Sequence, residues 1–146
     1  MKYAIKADAA GTMVEIVEFD EANSYKTIKE ATGGGWIECV HIANLGVDVW
    51  IDEEGKLTDS PNLNAFGTAL WFTQYGMNDY IAGDIIVTGG VDAEGNTLGM
   101  NKEKAIQVIR EVMKMTDKVL SDVEAVSKQM IEHWDDPAFK IINLDE

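Results

Sequence analysis

Cysteine is almost absent from this chain of 146 residues, which contains only Cys39. A lone cysteine cannot form an intramolecular disulfide, and disulfide-free chains are typical of a reducing cytoplasm. Apolar residues surround it in "WIECVHI", so we expect a small core residue, because a catalytic thiol needs an activating base nearby. No run approaches ~18 apolar residues and no charged-then-apolar leader is visible, so neither membrane spanning nor secretion is expected.

Basic residues are also scarce. Lysine and arginine together number 12 against 26 acidic residues, the net charge is −14, and Arg110 is the only arginine. Because a protein that grips phosphate backbones needs a basic face, direct nucleic-acid binding is disfavoured. Anionic small ligands would be repelled at long range and would need backbone N–H groups or a helix N-terminus. An acidic surface could instead occupy the groove of a DNA-binding protein, or simply keep the chain soluble.

Familiar catalytic and metal-binding motifs are missing. His41 and His133 lie far apart and belong to neither an HExxH motif nor a Cys/His ligand pattern, so the sequence predicts no zinc site. No Gly-x-Ser-x-Gly nucleophile motif occurs, and the "TGG" at residues 88–90 lacks the Gly-Lys-Ser/Thr ending of a P-loop. The sequence therefore predicts neither catalytic residues nor a cofactor.

The segment "DAEGNTLGMNKE" has part of the spacing of a calcium-binding loop. The oxygen ligands at positions 1, 3, 5 and 12 would be Asp92, Glu94, Asn96 and Glu103. Thr97 stands where that loop requires glycine, and a strand rather than a helix precedes the segment. We therefore expect a connecting loop that turns at Gly95 and Asn96, followed by a helix that Asn101 caps.

The first two-thirds of the chain alternate apolar and polar residues in short runs. "MKYAIKAD" and "MVEIVEF" predict a β-hairpin, and "WIECVHIA" and "VDVWIDEEGKL" predict two further strands. "YIAGDIIVTGG" holds a continuous β-branched run, which predicts a strand buried on both faces.

Two short helices are predicted between these strands. One lies in "FDEANSYKTIKEATGGG", where Tyr25, Ile28 and Ala31 have helical spacing, and stops at the glycines. The other covers "SPNLNAFGTALWFTQYG", either with Ser60 as N-cap and Pro61 at the first position or with a later start at Asn64. The predicted fold class is α+β: a mostly antiparallel sheet with two short helices and a long C-terminal helix.

That long helix spans residues 101–134, which contain neither glycine nor proline. Apolar positions follow one another at steps of three and four, as in a heptad repeat. They are Ile109, Val112, Thr116, Val119, Val123, Val126 and Met130. A continuous helix would be about 50 Å long, and a small domain cannot bury it alone. We therefore predict a core domain at 1–98 and an oligomerisation element at 99–146, packed on a second subunit; the alternative is a hairpin that breaks near "TDK".

Aromatic side chains are the best candidates for contact with a planar ligand, since any base can stack on them. Trp71 and Phe72 are adjacent on a helix and cannot both face one core, so one of them is expected to be exposed to a ligand or a subunit. Core packing is the alternative for each aromatic residue. The complete set of predicted ligand-binding residues is Trp36, Asn64, Thr68, Trp71, Tyr75, Gly83, Asp84 and Thr88.

Four segments in a fixed order resemble a known family: "GGGWIECVHI", "VDVWIDEEGKL", "PNLNAFGTALW" and "IAGDIIVTGG". Over residues 1–98 the chain is similar to the family called domain of unknown function 3846, which is met in phages, plasmids and other mobile elements. The helix from Asn101 departs from that core domain. The residues that the resemblance carries over are Asp52, Glu53, Gly55, Asn64, Thr68, Gly83, Asp84 and Gly89.

The resemblance implies a context more than a reaction. The leading hypothesis is a non-enzymatic anti-defence protein of a phage or mobile element, in the cytoplasm of a bacterial host. It would sequester a cyclic or ADP-ribose-type nucleotide between subunits, with a tryptophan or tyrosine on the base and the Asn64/Thr68 helix start on polar groups. An acidic module that inhibits a host DNA-binding or restriction protein is the alternative. A third hypothesis is a metal-assisted hydrolase that uses Asp52, Asp84 and Asp92.

Overall fold

A computed structural model describes residues 1–9, 13–56 and 62–114 of the chain. The described part contains one five-stranded sheet, three α-helices and a 3-10 turn at Glu21–Asn23. The strands are β1 Tyr3–Ala7, β2 Val14–Glu18, β3 Ile37–Ile42, β4 Val47–Asp52 and β5 Ile85–Thr88. The helices are α1 Ser24–Thr32, α2 Ala65–Tyr75 and α3 Lys102–Met113.

The sheet has the order β2-β1-β5-β4-β3, and every pairing among these strands is antiparallel. β1 and β2 form the predicted first hairpin, and β3 and β4 form a second one. β5 lies between the two hairpins and pairs with both β1 and β4. All four β5 residues are buried, as their continuous apolar pattern predicted. Among the described strands, β3 lies at one edge of the sheet, and it borders the site described below.

Helices cover the two faces of the sheet unequally. α2 and α3 lie on the face that carries Ile5, Val49 and Val87, where the larger core cluster forms. The opposite face is covered by α1, whose Ile28 packs with Phe19 in the smaller cluster. Full burial of an aliphatic side chain stabilises a fold by about 1.5–3 kcal/mol, so the α2/α3 face supplies most of the hydrophobic stabilisation.

The ends of the first two helices follow from local chemistry. α1 ends at Gly33, which has a φ of 99° and occupies the left-handed conformation that glycine adopts without strain. α2 begins at Ala65, with Asn64 as N-cap, so the later of the two predicted starts is confirmed and the start at Ser60 is wrong. Residues 57–61 lie outside the described residues. Asn64 defines the start because its side chain caps the helix and is also hydrogen-bonded to neighbouring segments.

α3 begins as predicted, because the Asn101 side chain accepts a hydrogen bond from the Lys104 N–H at 2.7 Å. Its inward face belongs to the core of the same chain: Val108 and Val112 are buried, and the partly buried Ile109 packs against them. Residues 99–114 are therefore part of the core fold, whereas the sequence analysis assigned Ile109 and Val112 to a subunit contact. The remainder of the predicted 101–134 helix, and its seam from Thr116 to Met130, lie outside the described residues. No helix in the described part of the chain is long and apolar enough to cross a membrane.

Candidate functional site

A cleft of about 390 Å³ opens between the edge strand β3 and helix α2. The C-terminal end of α2 is fixed to the β3–β4 turn by Asn44, whose backbone N–H donates to Gln74 Oε1 and whose Nδ2 donates to the Thr73 carbonyl, both at 2.8 Å. The segment from Asp79 to Ala82, just before β5, forms another wall of the cleft. The cleft is thus built from elements that are distant in sequence.

Aromatic rings line one side of the cleft. Trp71 and Tyr75 are one helical turn apart in α2, and their ring centroids are 4.4 Å apart at an interplanar angle of 36°. The Tyr75 hydroxyl donates to the His41 carbonyl at 2.6 Å, and Trp71 Nε1 donates to Asn78 Oδ1 at 2.8 Å. Tyr75 is 42% exposed although its hydroxyl is bonded, so its ring is accessible to a ligand.

Carboxylates dominate the charge around these rings. The acidic lining residues are Glu38, Asp52, Glu53 and Asp79. In the part of the chain that the structure describes, Lys56 is the one lysine of the lining; it is paired with Asp79, and its Nζ lies 4.3 Å from the centroid of the Tyr80 ring. Burial, and secondly the charge of Asp79, raise the pKa of the Tyr80 phenol. The cleft therefore has a negative local potential that favours cations over phosphates.

Trp71 and Tyr75 are the two predicted ligand-binding residues that line this cleft. Trp71 is only partly exposed, because its ring also packs against the core, and Phe72 is likewise partly buried. Both members of the adjacent pair are thus partly exposed, and contact of either ring with a ligand or a subunit stays a prediction. Trp36 is 72% exposed but precedes β3 and lies outside the cleft lining.

Asn64 is fully buried, although the sequence analysis placed it in a ligand site. Its Oδ1 accepts from the Gly67 N–H at 2.8 Å, and its Nδ2 donates to the carbonyls of Ala7, Asp8 and Gly83 at 3.1, 3.2 and 2.9 Å. A single amide side chain thus joins the end of β1, the start of α2 and the segment before β5. These bonds show that Asn64 stabilises the fold, and a ligand has no access to its buried side chain.

Thr68 and Thr88 are fully buried as well. The Thr68 hydroxyl accepts from the Ile81 N–H at 2.9 Å, which ties α2 to the segment before β5. The Thr88 hydroxyl accepts from Trp50 Nε1 at 2.9 Å on the face of the sheet that α1 covers. Both threonines satisfy backbone or indole N–H groups inside the protein, so this geometry gives no support to a ligand-binding role for them.

The remaining predicted acids hold separate loops together. Asp84 is exposed and accepts from the Ala9 N–H at 2.9 Å, next to Gly83, whose φ is 86°. Asp52 accepts from the Glu54 N–H at 2.9 Å within the β4 turn. Hydrogen bonds from Asn96, the backbone bond first, lower the pKa of Asp92 and close the predicted turn at Gly95. The structure does not gather Asp52, Asp84 and Asp92 into one centre, so the hydrolase hypothesis has no geometric support.

A group that the sequence analysis missed lies on the β3–β4 hairpin. His41 Nδ1 is 2.6 Å from Asp48 Oδ1 and 4.0 Å from Cys39 Sγ. Cys39 and His41 alternate along β3 and share a face, and the hairpin register places Asp48 opposite His41. The signal in the sequence was therefore Cys-x-His in a strand, with an aspartate at the paired position of the next strand.

This group is not arranged as a nucleophilic triad. In such a triad the two ring nitrogens of the histidine face different partners, whereas here Nδ1 faces both the thiol and the carboxylate. Burial, then the charges of Asp48 and Glu38, raise the pKa of Cys39 to about 12. A thiol with that pKa is almost entirely protonated near neutral pH, which disfavours nucleophilic catalysis by Cys39.

Residues 1–117 match the model of the family described as Domain of unknown function (DUF3846). The chain belongs to this family. The DUF3846 match confirms the resemblance inferred from the sequence and extends it from residue 98 through α3, which the sequence analysis treated as a departure from the family. No curated protein and no solved structure matches the chain significantly.

Gly89, one of the residues that the DUF3846 resemblance singled out, is required by close backbone packing. A Cβ atom there would lie 2.3 Å from the Gly99 carbonyl oxygen, and backbone cannot move aside as a side chain can. We expect Gly89→Ala to lower the free energy of unfolding by about 1–3 kcal/mol, measured from urea unfolding curves.

Gly35→Ala is the matched control for this prediction. Its Cβ would approach Asp52 Oδ1 at 3.2 Å, and a side-chain carboxylate can shift. We expect its unfolding midpoint to stay close to that of the wild type. Equal midpoints for the two variants would contradict the packing role of Gly89.

Proposed function

We propose that the protein acts by binding rather than by catalysis, and that the cleft between β3 and α2 holds a basic segment of a protein partner. One observation carries the proposal: among the described residues, four carboxylates line the cleft beside an accessible aromatic pair, and the one lysine of that lining is already paired with Asp79. Arginine and lysine side chains can form charge-assisted hydrogen bonds with the carboxylates and cation–π contacts with the faces of the aromatic rings.

The family setting suggests what kind of partner this is. The sequence resemblance implies a mobile-element protein, and a net charge of −14 suits competition for a surface that evolved to bind DNA. The partner in this proposal is therefore a host DNA-binding or restriction protein, and a basic segment of its DNA-binding surface enters the acidic cleft. Such binding depends on charge complementarity and weakens as salt increases.

A nucleotide remains a second candidate ligand because of one observation, the paired rings of Trp71 and Tyr75, on which a base could stack. Its phosphates would lie among Glu38, Asp52 and Glu53. The side chains of Asn64 and Thr68, which were expected to bind a phosphate, are buried and hydrogen-bonded within the protein. They are therefore not available to a nucleotide. The charge of the cleft is therefore the reason for ranking a nucleotide second.

Charge-matched variants test the proposal. A short polyarginine peptide serves as probe, and its affinity is measured by isothermal titration calorimetry at low and physiological salt. The double variant Glu38→Gln/Glu53→Gln removes two exposed cleft carboxylates, and we expect it to weaken binding about tenfold or more, since each close charge pair contributes on the order of 1 kcal/mol.

The control is Glu94→Gln/Glu103→Gln, which changes the net charge equally at exposed positions outside the cleft lining. It should retain wild-type affinity apart from a small uniform effect. Equal losses in the two double variants would show that the peptide senses only the overall charge, and the cleft would lose its assigned role.

A further inference from the structure

A sulfur, a nitrogen and an oxygen atom that can each bind a metal lie close together on the β3–β4 hairpin. Cys39 Sγ, His41 Nδ1 and a carboxylate oxygen of Asp48 all lie within 4.8 Å of one another. Two of them come from alternate residues of β3 and the third from the paired position of β4, so the sheet itself holds their backbones in register. In the described part of the chain this is the one group of three or more acidic, cysteine or histidine side chains with metal-binding geometry.

An independent observation indicates that the group lacks a component. Asp48 is only 4% exposed, and its Oδ2 has no hydrogen-bond partner among the residues that the structure describes. Burying a carboxylate oxygen without a partner is costly, and native proteins nearly always satisfy such atoms. The contact between His41 Nδ1 and Asp48 uses only Oδ1, so the second oxygen has capacity for a cation.

We propose that Cys39, His41 and Asp48 bind one Zn²⁺ ion or a similar borderline divalent cation. Thiolate, imidazole and carboxylate are the three donor types that zinc accepts in proteins, and a hard cation such as Mg²⁺ would not select the thiolate. Cys39 and His41 also line the cleft, so the ion would lie at its border; the metal assignment itself depends on the three side chains of the hairpin and not on which ligand the cleft binds.

The distances require only side-chain movement. Zinc bonds of about 2.0–2.3 Å place tetrahedral ligand atoms about 3.2–3.7 Å apart. The observed separations from His41 Nδ1, 2.6 Å to Asp48 and 4.0 Å to Cys39, lie on either side of that range. The His41 side chain is 69% exposed, so its ring can adjust by about half an ångström as the metal replaces the Nδ1 proton.

The three protein ligands leave a fourth coordination position. Because His41 is the exposed member and Asp48 the buried one, this position faces solvent and would hold a water molecule or an exogenous ligand. The ion would also cross-link the edge strand β3 to β4. Negative charge at Asp48 and Glu38, which disfavours an isolated Cys39 thiolate, would attract the dication and so assist its binding.

Cobalt(II) is the probe for the experiment, because its spectrum reports both geometry and thiolate ligation. Full-length protein is stripped with a chelator under reducing conditions, titrated with Co²⁺ and then with Zn²⁺. We expect one equivalent of cobalt to give tetrahedral ligand-field bands and a thiolate charge-transfer band, and zinc to displace both. Cys39 is the only cysteine, so the charge-transfer band identifies it without any variant. A wild-type titration without that band overturns the proposal.

Variants then identify the other ligands. His41→Gln and Asp48→Asn should each weaken cobalt binding by at least about a hundredfold, since loss even of an outer-shell partner costs 10–100-fold. His133→Gln removes the other histidine of the chain and should leave the spectrum unchanged. Circular dichroism checks that each variant is folded. A spectrum that survives in a folded Asp48→Asn variant, or that is lost in His133→Gln, contradicts the proposed ligand set.

Discussion

Replacing Asn64 with alanine is expected to lower the free energy of unfolding by about 3 kcal/mol or more. Loss of an N-cap costs about 0.5–2 kcal/mol, and leaving buried carbonyl oxygens without a donor costs about 1–3 kcal/mol. Asn64 provides both functions: its Oδ1 caps α2, and its Nδ2 donates to three carbonyls in two other segments. Urea unfolding followed by circular dichroism measures the difference.

Two further variants separate the contributions. Asn101 caps α3 in the same way but is exposed, so Asn101→Ala should cost only about 1 kcal/mol. Asn64→Asp keeps the capping oxygen but places a second oxygen against the carbonyls of Ala7 and Gly83, so it should be at least as destabilising as Asn64→Ala. If Asn64→Ala costs no more than Asn101→Ala, the role of Asn64 as a connector of three segments is wrong.

The second large effect is expected at Cys39, whose reaction with a disulfide reagent should be unusually slow. With a pKa of about 12, about one thiol in ten thousand is ionised at pH 8, against about one in ten at the ordinary value of 9.0. Thiolates of higher pKa are more nucleophilic, which offsets about 20–30-fold of this difference. The metal-free folded protein should therefore react on the order of 10- to 100-fold more slowly than the same protein unfolded in urea.

The pH dependence of this reaction gives a sharper test. The rate should rise about tenfold for each pH unit from 8 towards 11, beyond the point at which an ordinary thiol levels off. The raised pKa of Cys39 also makes stability depend on pH. Because the pKa in the folded protein exceeds the unfolded value of 9.0, the contribution of Cys39 to the free energy of unfolding is complete below pH 9 and is lost as the pH rises towards 12. Asp48→Asn removes one of the charges that raise the pKa of Cys39, so it should accelerate the reaction of the thiol with the disulfide reagent. A folded rate equal to the unfolded one would contradict the partly buried, anionic surroundings of Cys39.

Local patterns predicted most of the sheet and helices because their causes are local. Alternation within β1–β2 and β3–β4, the buried run of β5 and the glycine stop after α1 all depend on residues close in sequence. The cap at Asn101 is also local. The choice between Ser60 and Asn64 as the start of α2 was not, since Asn64 is fixed by carbonyls of β1 and of the segment before β5.

The candidate sites depend on contacts that the sequence pattern does not encode. Asn64 and Thr68 are polar residues near a helix start, which suits ligand binding equally well until the fold shows what they bond to. The acidic cleft arises because α2 and the segment 79–82 are brought against the edge strand β3. The Cys39–His41–Asp48 group could have been found from the hairpin register, but only after β3 and β4 had been paired.

The heptad pattern from Ile109 onwards illustrates a different ambiguity. An apolar stripe indicates that one face of a helix is buried, but it does not indicate whether the same chain or another subunit covers that face. In the described part of α3 that surface is the chain's own sheet and α2, where Val108 and Val112 pack. The proposal that residues 101–134 mediate oligomerisation therefore depends on the residues beyond 114, and light scattering of a Val119→Asp/Val123→Asp variant addresses it.

The central claim is that the cleft beside β3 binds a basic segment, and a two-dimensional NMR titration tests it most directly. The indole N–H signal of Trp71 reports the cleft, and that of Trp50, bonded to the buried Thr88 on the other face of the sheet, serves as internal reference. Polyarginine peptide should shift the Trp71 signal, salt should reverse the shift, and Trp50 should not move; a cyclic dinucleotide should leave both signals in place. A Trp71 signal that responds to the nucleotide and ignores the peptide would contradict the account.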